Sequence, residues 1–139
     1  MTTLALIGKG RWGQNYIKEA ALIENLEIKY VVSHNYKELL QHKDIDGIII
    51  ATPPETHFDI IKSFPDTPLL VEKPLTTSLK DAKTLRRYKI MVGHTYLYNE
   101  NLMKKLKEIG TVSLGDFMIC NTNSYGRSKH ALWELAPHP

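Results

Sequence analysis

The sequence predicts an α/β protein of the doubly wound kind, a mainly parallel sheet with helices on both faces. Three observations predict it. Short apolar runs alternate with helix-period stretches along most of the 139 residues. Such alternation builds βαβ units, whose crossovers are almost always right-handed. Glycines recur as Gly8-x-Gly10-x-x-Gly13 between the first apolar run and the first helical stretch. Hydrophobic residues make up 42% and charged residues 24% of the chain, a globular balance with enough apolar matter for one packed core.

The first element, LALIG (Leu4–Gly8), reads as a buried strand. RWGQNYIKEAALIENL follows with Ile17, Ala20, Ala21 and Ile23 at helical spacing, and EIKYVVS is a second strand rich in β-branched residues. NYKELLQHKD supports a short helix at most. DGIIIATPP is a third strand, ended by Pro53-Pro54, which can neither donate to a ladder nor continue it. ETHFDIIKSF is a helix and PLLVEKP a fourth strand. SLKDAKTLRRY is a helix with Ser78 as N-cap and Asp81 three residues on, a loose capping box. KIMVGH is a fifth strand. NENLMKKLKEIG starts at an Asn cap and ends at Gly110, a C′ glycine. VSLGDFMICNT is a last strand. The tail NSYGRSKHALWELAPHP breaks the alternation.

Several function classes fall away. A net charge of +3, from 18 basic and 15 acidic residues, is too small to argue for nucleic acid. The basic stretches LRRYK and MKKLK lie among apolar residues at helical spacing, as solvated helix faces do. Cys120 is the only cysteine, so no intramolecular disulfide and no cysteine-based zinc site can be assembled; no metal is expected. The four apolar residues before Gly8 fall short of the about seven that a secretory segment needs. No apolar run approaches the roughly 18 residues of a membrane span. A soluble cytoplasmic protein with no membrane partner is the expectation.

The glycine pattern carries the chemistry. After a strand and before a helix it is the fingerprint of a Rossmann-like nucleotide-binding unit. Gly8 permits the tight turn, Gly10 lets the backbone approach a pyrophosphate, and Gly13 lets helix and strand pack closely. The helix N-terminus then offers N–H groups and a partial positive charge to phosphates. Lys9, Arg11 and Trp12 share the loop and join the candidate site. Trp12 either covers the cofactor or packs on the helix, and a turn needed only for packing would carry the same glycines. An acid that grips the adenosine ribose belongs about 20 residues after the loop. That place reads Val31-Val32-Ser33-His34-Asn35, with no Asp or Glu. Ser33 and His34 are donors, with Lys37 nearby, so NADP is favoured over NAD.

The carboxyl edges of later strands face the same crevice. Ala51 and Thr52, before Pro53, are small enough for a cofactor to lie over them. His57 is either a surface histidine opening a helix or a contact in the site. Glu72, Lys73 and Pro74 end the fourth strand. There Lys73 can stabilise developing alkoxide charge or pass a proton, and a cis Pro74 would fix the turn. A Lys-Pro after a strand is otherwise an ordinary loop.

GKGRWG, ATPPETH, VEKP, MVGHTYLYNE and WELAPH, in that order and at those intervals, resemble the glucose–fructose oxidoreductase / inositol dehydrogenase (Gfo/Idh/MocA) family of NAD(P)-dependent sugar oxidoreductases. The tryptophan-bearing glycine loop and LWELAPH look most like members from polysaccharide and sugar-nucleotide pathways. The resemblance implies hydride transfer between a nicotinamide and a sugar carbon. It implies His138 as general base, Lys73 on the same oxygen, and Glu134 orienting the imidazole where the family usually has Asp. Without it, His138 is a terminal histidine with no role. The resemblance also divides the chain into a nucleotide-binding domain at residues 1–110 and, at 111–139, the first strand and start of a truncated substrate domain. The expectation is then a piece of a longer enzyme, whose open strand edge invites a homo-oligomer. The alternative is a non-catalytic NAD(P)-binding module or remnant.

Overall fold

In the computed structural model, which describes residues 1–109, the chain divides into two compact units. The first is Met1–Gly93 and the second begins at His94. The first unit runs β1 (Thr2–Ile7), α1 (Arg11–Ala20), β2 (Leu26–Val32), a 3₁₀ turn at Tyr36–Gln41, β3 (Gly47–Ile50), α2 (Pro54–Lys62), β4 (Leu69–Val71), α3 (Leu79–Thr84) and β5 (Ile90–Val92). The second unit holds a 3₁₀ turn at Thr95–Tyr98 and α4 (Glu100–Ile109).

The five strands make one sheet in the order β2-β1-β3-β4-β5, and every pairing is parallel. The chain steps outward from β1 to β2, then crosses back to β3 on the other side of β1. The reversal lies between β1 and β3, and in open α/β sheets ligands bind at such a point, outside the carboxyl ends of the strands.

Side chains alternate across each strand, and both faces use this. Ala5, Ile7, Ile48, Ile50, Leu69 and Val71 point to one face, where they pack with Leu39, Ile60, Ile61, Phe64 and Leu85. That face is covered by α2, the 3₁₀ turn at Tyr36–Gln41 and a second 3₁₀ turn at Leu85–Arg87, which follows α3. Leu6 points to the other face, towards α1 at Gly13. Farther along that face, over the starts of β3, β4 and β5, lies an apolar hollow of about 480 Å³ lined by Leu4, Ile49, Leu70 and Met91 among others. It sits at the amino-terminal edge of the sheet, opposite the glycine turn.

Two expected caps are present. Ser78 Oγ accepts from the Asp81 N–H at 3.3 Å, and Asn99 Oδ1 accepts from the Leu102 N–H at 3.0 Å. Arg86, Arg87, Lys104 and Lys105 are exposed, as solvated helix faces require. The first helix is shorter than its apolar pattern suggests. It ends at Ala20, and Asn25 takes a positive φ of 59° to turn the chain into β2. Leu22 and Ile23 therefore stand 80% and 54% exposed. The expected strand VSLGDFMICNT and the boundary at residue 110 lie outside the described residues. None of the described helices is long and apolar enough to cross a membrane, and the described residues hold no cluster of metal-ligating side chains.

Candidate functional site: a dinucleotide cradle at the sheet reversal

The glycine turn follows β1 directly. The Gly8 N–H donates to the Val32 carbonyl at 2.8 Å, and Gly8 has φ +112°. A β-carbon there would collide with the Ala51 carbonyl, and one on Gly13 would collide with the Gly8 carbonyl. Backbone thus meets backbone at both positions, and the fold alone demands glycine. Gly10 is different. Its φ of −69° and ψ of −171° suit any residue, and no heavy atom lies within 4 Å of where its β-carbon would stand. It is the N-cap of α1 and makes no side-chain cap, where Ser or Asp would serve the helix better. Nothing in the fold accounts for a bare backbone at this point.

The first turn of α1 contains no acid. Its leading N–H groups have no intrahelical carbonyl to bond, and the helix dipole puts a partial positive charge there. This is an anion cradle with one side open.

Beyond β2 a cavity of about 230 Å³ is lined by Lys9, Val31, Val32, Ser33, His34, Asn35 and Glu38. Ser33 and His34 both line this cavity, at the end of β2. Lys37 does not line the cavity, and Glu38 does.

The ends of β3 and β4 lie on the other side of β1 from this cavity. Ala51 is tied to β1 by its N–H on the Ile7 carbonyl at 2.8 Å. Thr56 Oγ1 lies 2.8 Å from both Thr52 Oγ1 and the Pro53 carbonyl. His57 is neither a surface residue nor open to the crevice. It is fully buried, with Nδ1 2.9 Å from the Pro74 carbonyl and Nε2 2.9 Å from the Thr52 carbonyl. A neutral ring donates to one of these and a doubly protonated ring to both. With both nitrogens turned to backbone, His57 joins two loops and has no direct contact to offer a ligand.

Glu72 accepts from Tyr16 Oη at 2.7 Å and from the Lys73 N–H at 3.2 Å. Tyr16 belongs to α1, so this carboxylate links the helix of the glycine turn to the end of β4. Burial first, and then the hydrogen bond to Glu72, push the Tyr16 phenol above its ordinary range. Lys73 is half-buried, and its peptide bond to Pro74 is cis. Glu134 and His138 lie outside the described residues. Sequence reading passed over Tyr16 and Glu38. Nothing local marks Tyr16, whose partner is 56 residues away; the acid at 38 was in plain view, but only the 3₁₀ turn brings it to the cavity.

The chain belongs to the Gfo/Idh/MocA oxidoreductase family with an NAD-binding Rossmann fold, whose sequence profile matches residues 12–99. It is 26% identical to the rhizopine catabolism protein MocA of Rhizobium meliloti, over 84% of this chain and 44% of that protein. Among solved structures it resembles one from Magnetospirillum magnetotacticum MS-1 assigned as an oxidoreductase, at 31% identity and a TM-score of 0.69, covering 78% of this chain and 44% of the other. It also shares the fold of a scyllo-inositol dehydrogenase from Lactobacillus casei solved with NAD(H) and scyllo-inositol, at 18% identity and a TM-score of 0.68, covering 79% and 42%. The chain thus spans less than half the length of these relatives.

Proposed function

We propose that this chain is the nucleotide-binding part of an NAD(P)-dependent oxidoreductase acting on a hydroxyl-bearing carbon of a sugar, an inositol or a sugar nucleotide. The observation that carries the nucleotide half is Gly10. Gly8 and Gly13 are explained by packing, whereas the space above Gly10 is explained by a ligand that approaches the helix N-terminus. The residues present fit a dinucleotide: a helix N-terminus for its pyrophosphate, the cavity beyond β2 for its adenosine ribose, and the ends of β3 and β4 for its nicotinamide half. When bound, the nicotinamide accepts or supplies the hydride.

The rhizopine and inositol relatives and the residue pattern of the family support the substrate half. Lys73, at the carboxyl edge of β4, holds the substrate oxygen and stabilises its developing charge. His138 takes the hydroxyl proton, and Glu134 orients it. Residues 1–110 serve the cofactor, and 111–139 begin the part that receives the substrate.

A titration of the chain with NADH tests the first half, read as energy transfer from Trp12, which is 54% exposed in the glycine loop. Saturable binding is expected, and its absence on a folded sample would remove the proposal. Change in nicotinamide absorbance with a panel of inositols, sugars and sugar nucleotides tests the second half. Binding without turnover on any of them would favour the non-catalytic module.

A further inference from the structure

We propose that Glu38 determines cofactor choice by gripping the adenosine ribose hydroxyls and turning away a 2′-phosphate, so that NAD(H) is preferred over NADP(H). The inference rests on the nucleotide-binding reading and deepens it. In doubly wound sheets the ribose lies outside the end of the second strand, where an acid usually holds its hydroxyls. Here the strand end offers Ser33 and His34, and the acid comes from farther along. The 3₁₀ turn at Tyr36–Gln41, closed by the Glu38 N–H on the Asn35 carbonyl at 3.0 Å, carries Glu38 into the lining of the same cavity. The next residue, Leu39, is buried in the main core at 2% exposure, so the backbone under Glu38 is anchored.

Charge supports the same assignment. The lining sets one anion, Glu38, against one lysine, Lys9, so the lysine charge is balanced and leaves no surplus for a phosphate. A carboxylate accepts two hydrogen bonds from neighbouring hydroxyls, and it repels a phosphate ester. The competing view makes Glu38 an ordinary solvated side chain of an exposed turn.

Parallel titrations of the full 139-residue chain with NADH and NADPH decide the matter. NADH should bind at least about tenfold more tightly, a difference of about 1.4 kcal/mol. Glu38→Gln should bring the two affinities within about threefold, Glu38→Arg should reverse their order, and added salt should narrow the parent's preference. Glu38 is exposed, so thermal melts of the variants should match the parent. An NADPH preference in the parent, or an unchanged ratio in Glu38→Gln, would overturn the role of Glu38 and leave the nucleotide reading intact. Failure of the folded parent to bind either cofactor would overturn both.

Discussion

Replacing Gly10 by serine separates what the fold needs from what a ligand needs. The backbone at Gly10 is open to any residue, and its β-carbon position has no heavy atom within 4 Å. A serine hydroxyl at this N-cap accepts from the N–H of Trp12 or Gly13, which improves on glycine by a few tenths of a kcal/mol. Removing glycine's freedom from the unfolded chain adds about 0.4–1 kcal/mol. Gly10→Ser should therefore be more stable than the parent by about 0.5–1.5 kcal/mol, measured by urea unfolding with linear extrapolation. The same hydroxymethyl group occupies the mouth of the cradle and competes for its N–H groups. NADH affinity should fall at least about tenfold, or about 1.4 kcal/mol. A more stable variant that binds NADH as well as the parent does would refute the reasoning. Destabilisation beyond about 1 kcal/mol, large for a surface change, would show that the fold itself needs glycine there.

Gly13→Ala tests the opposite case. Its β-carbon meets the Gly8 carbonyl, and that clash outweighs the about 1 kcal/mol that alanine gains over glycine in a helix. A net loss of about 2 kcal/mol is expected, seen as a lower urea midpoint at unchanged slope. Tyr16 gives a pH signature. Its phenol is held protonated in the folded chain by burial and by Glu72, while the unfolded phenol ionises near pH 10. A folded value raised in this way contributes fully below about pH 10 and is lost as pH climbs towards the folded value. The stability advantage of the parent over Tyr16→Phe should narrow steadily above about pH 10, and parallel alkaline profiles would sink the idea. Lys73→Ala should lower hydride transfer by about a hundredfold or more while NADH affinity stays within about threefold. Equal turnover in that variant would make the lysine structural.

Most of the fold was legible because its signals are local. The β-branched run before Ala51 could only be a buried strand, and Gly8-x-Gly10-x-x-Gly13 announces a strand, a turn and a helix within a few residues. Ser78 and Asn99 cap as their side chains predict. The length of α1 was not legible, because Ile23 keeps the helical period after the chain has turned away at Ala21. The site was legible where it depends on one segment and hidden where two segments meet. His57 reads as a polar residue at a helix start, and only the approach of Pro74 reveals its burial. Tyr16 and Glu72 are unremarkable until α1 is laid beside β4. Glu38 lies beyond the strand end in sequence, and only the 3₁₀ turn at Tyr36–Gln41 brings it to the cavity.

The contact of Gly13 with Gly8, and of Gly8 with Ala51, has a thermodynamic consequence. The turn is wedged between its own helix and the neighbouring strand, so its amides already point as they must before any ligand arrives. Association then spends little of its gross energy on ordering the chain. Calorimetry should find a modest entropic penalty, and free and bound chains should exchange the amide protons of residues 8–13 at similar rates outside direct contact. The turn is held in place by close backbone packing, and whatever adapts on binding has to be sought elsewhere in the chain.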